Sequence, residues 1–290
     1  MDDMDRLYYI CSGICYKILQ HISRKNERYE RDLLTAVPNQ DDVGLRHICF
    51  GGYETEIIKF IAERYSKEFA GGTFVDVGAH IGSHTTRLAR YFEKVYSFEP
   101  NPDTFDLLTL NTSRLNNVLC IREALSNKND YRQFKSERFN TGKSRITDNI
   151  QASNSIVQTK TLDQHHKLLK NISFIKIDVE GHENEVIAGG VEIIKKQKPM
   201  LMIEILSDEI HQGTSATLET LSDLGYATFY SLETRSAFDQ FFLPTRTPES
   251  IKLVFHLVRT LIFGTPKIQC VPLQINDLVK RDYEAILCRC

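Results

Sequence analysis

Three groups of residues have the types and spacing to do chemistry. The first is Val75-Asp76-Val77-Gly78-Ala79-His80-Ile81-Gly82, a short apolar run carrying a carboxylate and followed by two glycines. Glycines at a strand-to-helix turn permit a tight bend and let the backbone approach a ligand closely. The second is Glu99, which follows the apolar run Val95–Phe98 and lies 21 positions after Gly78. An acid there can accept hydrogen bonds from both ribose hydroxyls of an adenosine. The third is a set at later strand ends: Asp178, Glu180, His182 and Glu204. These are the residue types of a general base or of a group that orients an acceptor.

The first group decides between adenosine cofactors. Dinucleotide proteins use G-x-G-x-x-G and seat a pyrophosphate on the helix N-terminus. Here Ala79-His80-Ile81 fill the turn and no middle glycine is present. A turn built for anions would not welcome Asp76 just before it. S-adenosylmethionine (SAM) carries no phosphate but does carry a sulfonium and an ammonium, which a nearby carboxylate attracts by simple Coulomb forces. The residues therefore favour SAM over NAD, with an acid capping a turn in an ordinary α/β fold as the bland alternative.

The elements that must position these residues alternate. Strands are predicted at Thr73–Val77, Val95–Phe98, Val118–Ile121, Ser173–Val179, Met200–Ile205, Tyr226–Ser231 and Tyr283–Leu287. Helical spacing falls at Glu54–Glu68, Gly82–Tyr91, Asp103–Leu115, from Glu183 onward, and at Thr217–Leu224. Such alternation implies a mostly parallel sheet with helices on both faces. A polar stretch from Ser126 to Asn154 breaks the rhythm, with one further strand expected at Tyr131–Phe134.

The segments D-V-G-A-H-I-G-S-H-T, Y-S-F-E-P-N, F-I-K-I-D-V-E-G-H-E and P-M-L-M-I-E-I resemble the FkbM family of class I SAM-dependent methyltransferases. Lys176-Ile177-Asp178-Val179-Glu180-Gly181 is the most diagnostic piece, and Gly52-Tyr53-Glu54 is similar to the family's opening segment. The resemblance runs from about Gly52 to Gly225. It implies a Rossmann-like α/β fold with a seven-stranded sheet in the order 3-2-1-4-5-7-6, strand seven antiparallel. It implies that backbone around Gly78, His80 and Gly82 borders the methionine part of SAM, with His84 or Thr85 on its carboxylate. Glu99, Pro100 and Asn101 would hold the ribose, and Ala124 and Leu125 after Glu123 would frame the adenine. It also implies methyl transfer to a hydroxyl oxygen of a sugar, glycan or natural product.

An aliphatic hydroxyl is a poor nucleophile while protonated and wants a base within reach. Ligands of open α/β sheets bind beyond the carboxyl ends of the strands. Asp178 is the first choice there, followed by Glu180 and His182, with Glu204 as a further wall. Capping of the next helix N-terminus is the alternative for Glu180 and Glu183, and an exposed loop position that for His182. Lys176 alternates with inward isoleucines and can pair with an acid. No dense acid cluster demands a metal, so none is expected. An N-methyltransferase, or a non-catalytic SAM-binding module serving a partner protein, remains the alternative function.

The bulk properties set the surroundings. The chain has 290 residues, 41% hydrophobic and 26% charged, with a formal net charge of -2. That is ordinary for a globular protein and gives no reason to expect a nucleic-acid partner. Seven cysteines without a CxxC pair, and an acidic start at Met1–Asp5, favour a reducing, cytoplasmic setting. Two regions fall outside the family pattern. Residues 1–50 are expected to form a helical extension, with Leu7, Ile10, Cys11, Ile14, Cys15, Ile18 and Ile22 on one apolar face that would cover the domain or make a homo-oligomer contact. The rest, 51–290, would be one methyltransferase domain with a segment inserted at about 245–282. There Ser250–Phe263 is a basic amphipathic helix, read as a lid over the acceptor mouth in preference to a membrane-surface contact. Lys143 and Arg145, in the polar stretch, would suit a phosphate or a sugar acid, or simply an exposed loop.

Overall fold

The computed structural model describes residues 35–38, 41, 43–44, 47, 52–137, 140–151, 155–234 and 267–290. The expected N-terminal helix and the amphipathic segment at 250–263 lie outside the described residues. Helix α1 (Thr55–Phe69) buries Ile57, Ile58, Ile61, Ala62, Tyr65 and Phe69, the stripe a 3.6-residue period produces. Then come β1 (Thr73–Val77), α2 (Ser83–Leu88) and β2 (Lys94–Phe98), followed by α3 (Pro102–Thr112), which starts on an Asn101 cap with proline at its first position. β3 (Val118–Ile121) and β4 (Ala124–Leu125) follow. The polar stretch then forms β5 (Asp130–Lys135) and β6 (Arg145–Ile146), and β7 (Ser155–Lys160) follows it. The remaining elements are β8 (Ile172–Ile177), α4 (Glu183–Ala188), α5 (Val191–Gln197), β9 (Met200–Ile205), β10 (Ile210–His211), β11 (Thr214–Ser215), α6 (Ala216–Asp223), β12 (Thr228–Thr234), β13 (Ile268–Leu273) and β14 (Tyr283–Arg289).

The main sheet runs β13-β12-β14-β9-β8-β1-β2-β3. The block from β9 to β3 is parallel, and β14, β12 and β13 pair antiparallel beyond it. The expected seven strands are corrected to eight. Ile268–Leu273, assigned from sequence to an inserted segment, pairs with β12 as the outermost strand. Its Ile-Gln-Cys-Val-Pro-Leu pattern carries a proline, which an edge strand tolerates.

The strand pleat sends alternate residues into two cores. On one face Val75, Val77, Ile175, Ile177, Leu201 and Ile203 pack under Val186, Ile187, Ile193 and Leu218 of the later helices. On the other, Phe74, Phe174, Met200 and Met202 pack under α1 and α2. Four phenylalanines knit that second face together. Phe69 lies 4.8 Å from Phe92 and 5.0 Å from Phe174, and Phe74 lies 5.2 Å from each of the latter two, measured between ring centroids.

The polar stretch and the residues flanking it build a second, four-stranded sheet in the order β4-β7-β5-β6. Sequence reasoning anticipated one strand there. It missed β7 because Ser155–Lys160 carries only Ile156 and Val157 as apolar residues, and Ile156 is exposed. The small core beneath it is Ala124, Phe134 and Val157, with Ile146 against them.

Phe174 is fully buried in the aromatic cluster. We expect Phe174→Ala to cost about 3–5 kcal/mol through lost transfer energy and the cavity left behind, read as a lower chemical-denaturation midpoint. An unchanged midpoint would remove this cluster from any role in stability.

Candidate active site

One cavity of about 680 Å³ opens at the carboxyl ends of the parallel strands, within the size range of small-molecule sites. Its first half is built by the turn after β1. Gly78 has φ 74°, and a Cβ there would lie 1.8 Å from the Asp178 carbonyl oxygen. Only glycine fits, because the β1 turn and the end of β8 touch backbone to backbone. Gly78 and Ala79 donate their N–H groups to the Phe98 carbonyl. His80, itself at φ 51°, donates its N–H to Glu99 Oε2 at 2.9 Å.

Glu99 is almost fully enclosed. Its Oε1 accepts from Asn101 N and Thr104 Oγ1, both at 2.9 Å. Burial pushes its carboxyl up, against the pull of these donors and His80. With three donors already in place, a carboxylate with about four lone-pair sites still has room for a ligand hydroxyl. Pro100, Glu123, Ala124 and Leu125 continue the wall, and Glu123 pairs with Lys160 and His165.

Both histidines of the turn line the cavity as neutral rings. Burial lowers His80 to about 4 and His84 to about 3. His84 Nε2 is buried 3.4 Å from Glu54 Oε2 and has no well-formed hydrogen bond. His80 Nε2 lies 2.8 Å from Thr141 Oγ1. That hydroxyl donates to Asp41 Oδ2 at 2.8 Å, so His80 must donate to it, which assigns the Nε2–H tautomer.

Four residues expected at the cofactor stand behind the wall instead: Asp76, Gly82, Thr85 and Asn101 are not among the lining residues. Asp76 points under α2, where Thr85 Oγ1 donates to its Oδ2 at 2.6 Å and also meets Ser97 Oγ at 2.7 Å. Gly82 caps α2 with φ 87°. Asn101 caps α3 with its side chain and gives its N–H to Glu99. The sequence locates them near the ligand, but the pleat and the caps turn their side chains into the scaffold.

The second half of the cavity is acidic. Asp178, Glu180, His182 and Glu204 all line it. Lys176 joins them from below, its Nζ 3.0 Å from Asp178 Oδ2, 2.9 Å from the Gly78 carbonyl and 3.8 Å from Asp76 Oδ1. Burial disfavours the ammonium, but Asp178, Asp76 and Glu54 outweigh it and hold Lys176 charged. Burial likewise works against the Asp178 carboxylate, and Lys176 overcomes it, keeping Asp178 below its ordinary range. Burial and the neighbouring acids push Glu204 up to about 11, so it stays protonated and donates to Asp178. Burial and Asp178 raise Glu180 to about 7, against the pull of Lys143 and Arg145.

Glu180 also adopts φ 57°, strained for a non-glycine residue, just before Gly181 at φ 93°. Glu183, the first residue of α4, braces the preceding loop instead, accepting from Val179 N and Gly181 N at 2.9 and 3.3 Å, and α4 has no side-chain cap. That leaves Glu180 facing the cavity. His182 bonds to Ser126 Oγ at 2.9 Å. No metal was expected, yet Asp178, Glu180 and Glu204 bring carboxylate oxygens within 4.8 Å of one another. The compensating cation in this cluster is the Lys176 ammonium.

Sequence reasoning missed Asp41. It accepts from both Thr141 N (3.0 Å) and Thr141 Oγ1, 100 positions away. Nothing local signals that pairing. His47 is similar, meeting Ser83 Oγ at 3.1 Å.

Residues 76–228 match the family model of the methyltransferase FkbM domain. The chain belongs to the FkbM methyltransferase family. The chain is 28% identical over 162 residues to the hexuronic acid methyltransferase AglP of Haloferax volcanii, covering 55% of this chain and 63% of that protein. The chain thus spans less than two thirds of that relative's length. Among solved structures, methyltransferase FkbM from Methylobacillus flagellatus KT aligns at 15% identity and TM-score 0.39, covering 78% of this chain and 57% of that one. Aeropyrum pernix fibrillarin, with natively bound SAM, aligns at 13% identity and TM-score 0.36, covering 59% and 63%. No helix among the described residues of the chain is long and apolar enough to cross a membrane.

Asp76 depends on Thr85 for a donor in a site without water access. Thr85→Val should cost about 1–3 kcal/mol, the penalty of an unsatisfied buried acceptor, while Thr85→Ser should recover most of it. Urea denaturation of both variants checks this, and equal stability of the valine variant and wild type would contradict it.

Proposed function

We propose that the protein transfers the methyl group of SAM to a hydroxyl oxygen of a sugar or glycan, with Glu180 as the general base. The observation that carries this reading is the single cavity. The Gly78–His84 turn, Glu99 and Leu125 border one end, and Asp178, Glu180 and Glu204 border the other. Family membership supports methyl transfer, and the relative named for hexuronic acid supports a sugar acceptor.

The residues of the first half fit SAM. Glu99 keeps acceptor capacity for a ribose hydroxyl, the wall of Ala124 and Leu125 is apolar, and His84 leaves a buried ring nitrogen without a hydrogen bond. SAM supplies a methyl group on a cationic sulfonium. The chain's own residues hold the acceptor oxygen in line with it and keep water out, and alignment alone can supply roughly 7–11 kcal/mol.

The base follows from the electrostatics. Asp178, the first choice from sequence, is committed to Lys176 and to the proton of Glu204, which lowers its basicity. Glu180 faces the cavity with a proton affinity near neutrality, where a general base works best. In this mechanism Glu180 takes the hydroxyl proton as the carbon–oxygen bond forms. Asp178 and Glu204 orient the acceptor, and Lys176 holds Asp178 in place. The alternative, an N-methyltransferase, would need less help from a base, since a neutral amine carries its own lone pair.

Two experiments test the reading. Calorimetry should show binding of SAM and its demethylated product and no comparable binding of NAD. Glu99→Gln should weaken SAM binding by about 10–100-fold, the loss of one charge-assisted hydrogen bond. Unaltered affinity would remove Glu99 from the ribose site. In the second, kcat/KM for methyl transfer should be low in acid and rise through pH about 7 as Glu180 loses its proton. Glu180→Gln should abolish that limb and lower turnover about 10²–10⁴-fold. A retained limb in Glu180→Gln, lost instead in Asp178→Asn, would return the base to Asp178.

A further inference from the structure

The acceptor half of the cavity has a wall that catalysis as described does not use. Residues 140–146 carry two cations to the cavity, Lys143 and Arg145. Neither is in an ion pair with another described residue, and Arg145 spends one guanidinium N–H on the Lys143 carbonyl at 3.2 Å. The segment is held in place. Thr141 is pinned to the buried Asp41 through both its N–H and its hydroxyl, and to His80 of the cofactor turn. Ser144 Oγ accepts from Glu137 N at 3.1 Å, and Arg145 and Ile146 pair with Lys135 and Phe134 of β5.

The cations are placed at some catalytic disadvantage. Both attract charge onto Glu180, which weakens it as a base. No described residue forms an ion pair with them, though Asp178, Glu180, Glu204, Asp282 and Glu284 line the same cavity. An anion on the acceptor would do so. It would pair with the guanidinium fork and the ammonium in the geometry these groups favour for carboxylate and phosphate, and would relieve their pull on Glu180. We infer that Lys143 and Arg145 are acceptor-specificity residues that bind an anionic group, a carboxylate or a phosphate, on the sugar that is methylated.

This rests on the sugar-methyltransferase reading, and the test separates the two. The full chain is assayed with SAM on three glycosides that differ only at C6: a neutral hexoside, the hexuronoside and the 6-phosphate. Wild type should favour an anionic glycoside over the neutral one by about tenfold or more in kcat/KM, chiefly through KM. The better of the two anionic substrates identifies carboxylate or phosphate. K143Q/R145Q should collapse that preference toward unity, with SAM affinity by calorimetry unchanged as the control for folding. Equal wild-type turnover of all three glycosides, or an equal loss on all three in the double variant, overturns the inference and leaves the proposed function standing. No methyl transfer to any glycoside by protein that binds SAM overturns the sugar acceptor itself, and the inference with it.

Discussion

The site is organised around one buried ammonium. Lys176 has almost no contact with solvent, and an isolated charge there would be prohibitively costly. It is tolerated because β1 and β8 run parallel with Asp76 and Lys176 as register partners, while Asp178 and the Gly78 carbonyl close around the same nitrogen. Removing one partner of such a set typically costs about 3–5 kcal/mol. The constraint propagates. The approach of Gly78 to the Asp178 carbonyl allows only glycine, and the resulting turn aims the His80 N–H at Glu99. Thr85 must cover Asp76, which sets how α2 sits on the sheet. The turn after β1 and the acids after β8 and β9 are therefore two ends of one electrostatic unit.

That unit separates the acids by role. Asp178 is ionised and held, Glu204 is protonated and donates, Glu183 braces the loop before α4, and Glu180 is left near neutrality at the cavity. These carboxylates occupy similar sites in the sequence, yet burial and one lysine give them different chemistry. The spread of proton affinities is what the proposed transfer to a hydroxyl would need. The strained backbone at Glu180 fits the same picture, since strain of this kind collects at functional sites.

The small sheet contributes the other wall. Asp41, Thr141 and His80 form a chain of hydrogen bonds from a segment ahead of α1, through the 140–146 arm, to the turn after β1. Burial keeps His80 neutral, so the ring serves there as a donor of fixed tautomer. Both sides of the cavity are thereby tied to the same turn.

The sequence by itself determined the parallel core of the fold and the glycine turn at its carboxyl edge, because both rest on local patterns. Apolar runs of strand length mark β1, β3 and β9, the glycine pair marks the turn, and Glu99 and Asp178 follow their strands directly. Placement beyond a strand end could be read, but the direction of a side chain could not. Asp76, Thr85 and Asn101 lie in the right segments and face the scaffold, because pleat and capping geometry decide orientation. The eighth strand, β7 and the grip of Asp41 on Thr141 escaped notice because each depends on partners many positions away and carries little apolar signal of its own. Tertiary structure alone decided which acid holds a charge, which holds a proton and which is free to take one. Proton affinity is set by burial and by the charges that folding brings together, and neither is a property of a residue in its sequence.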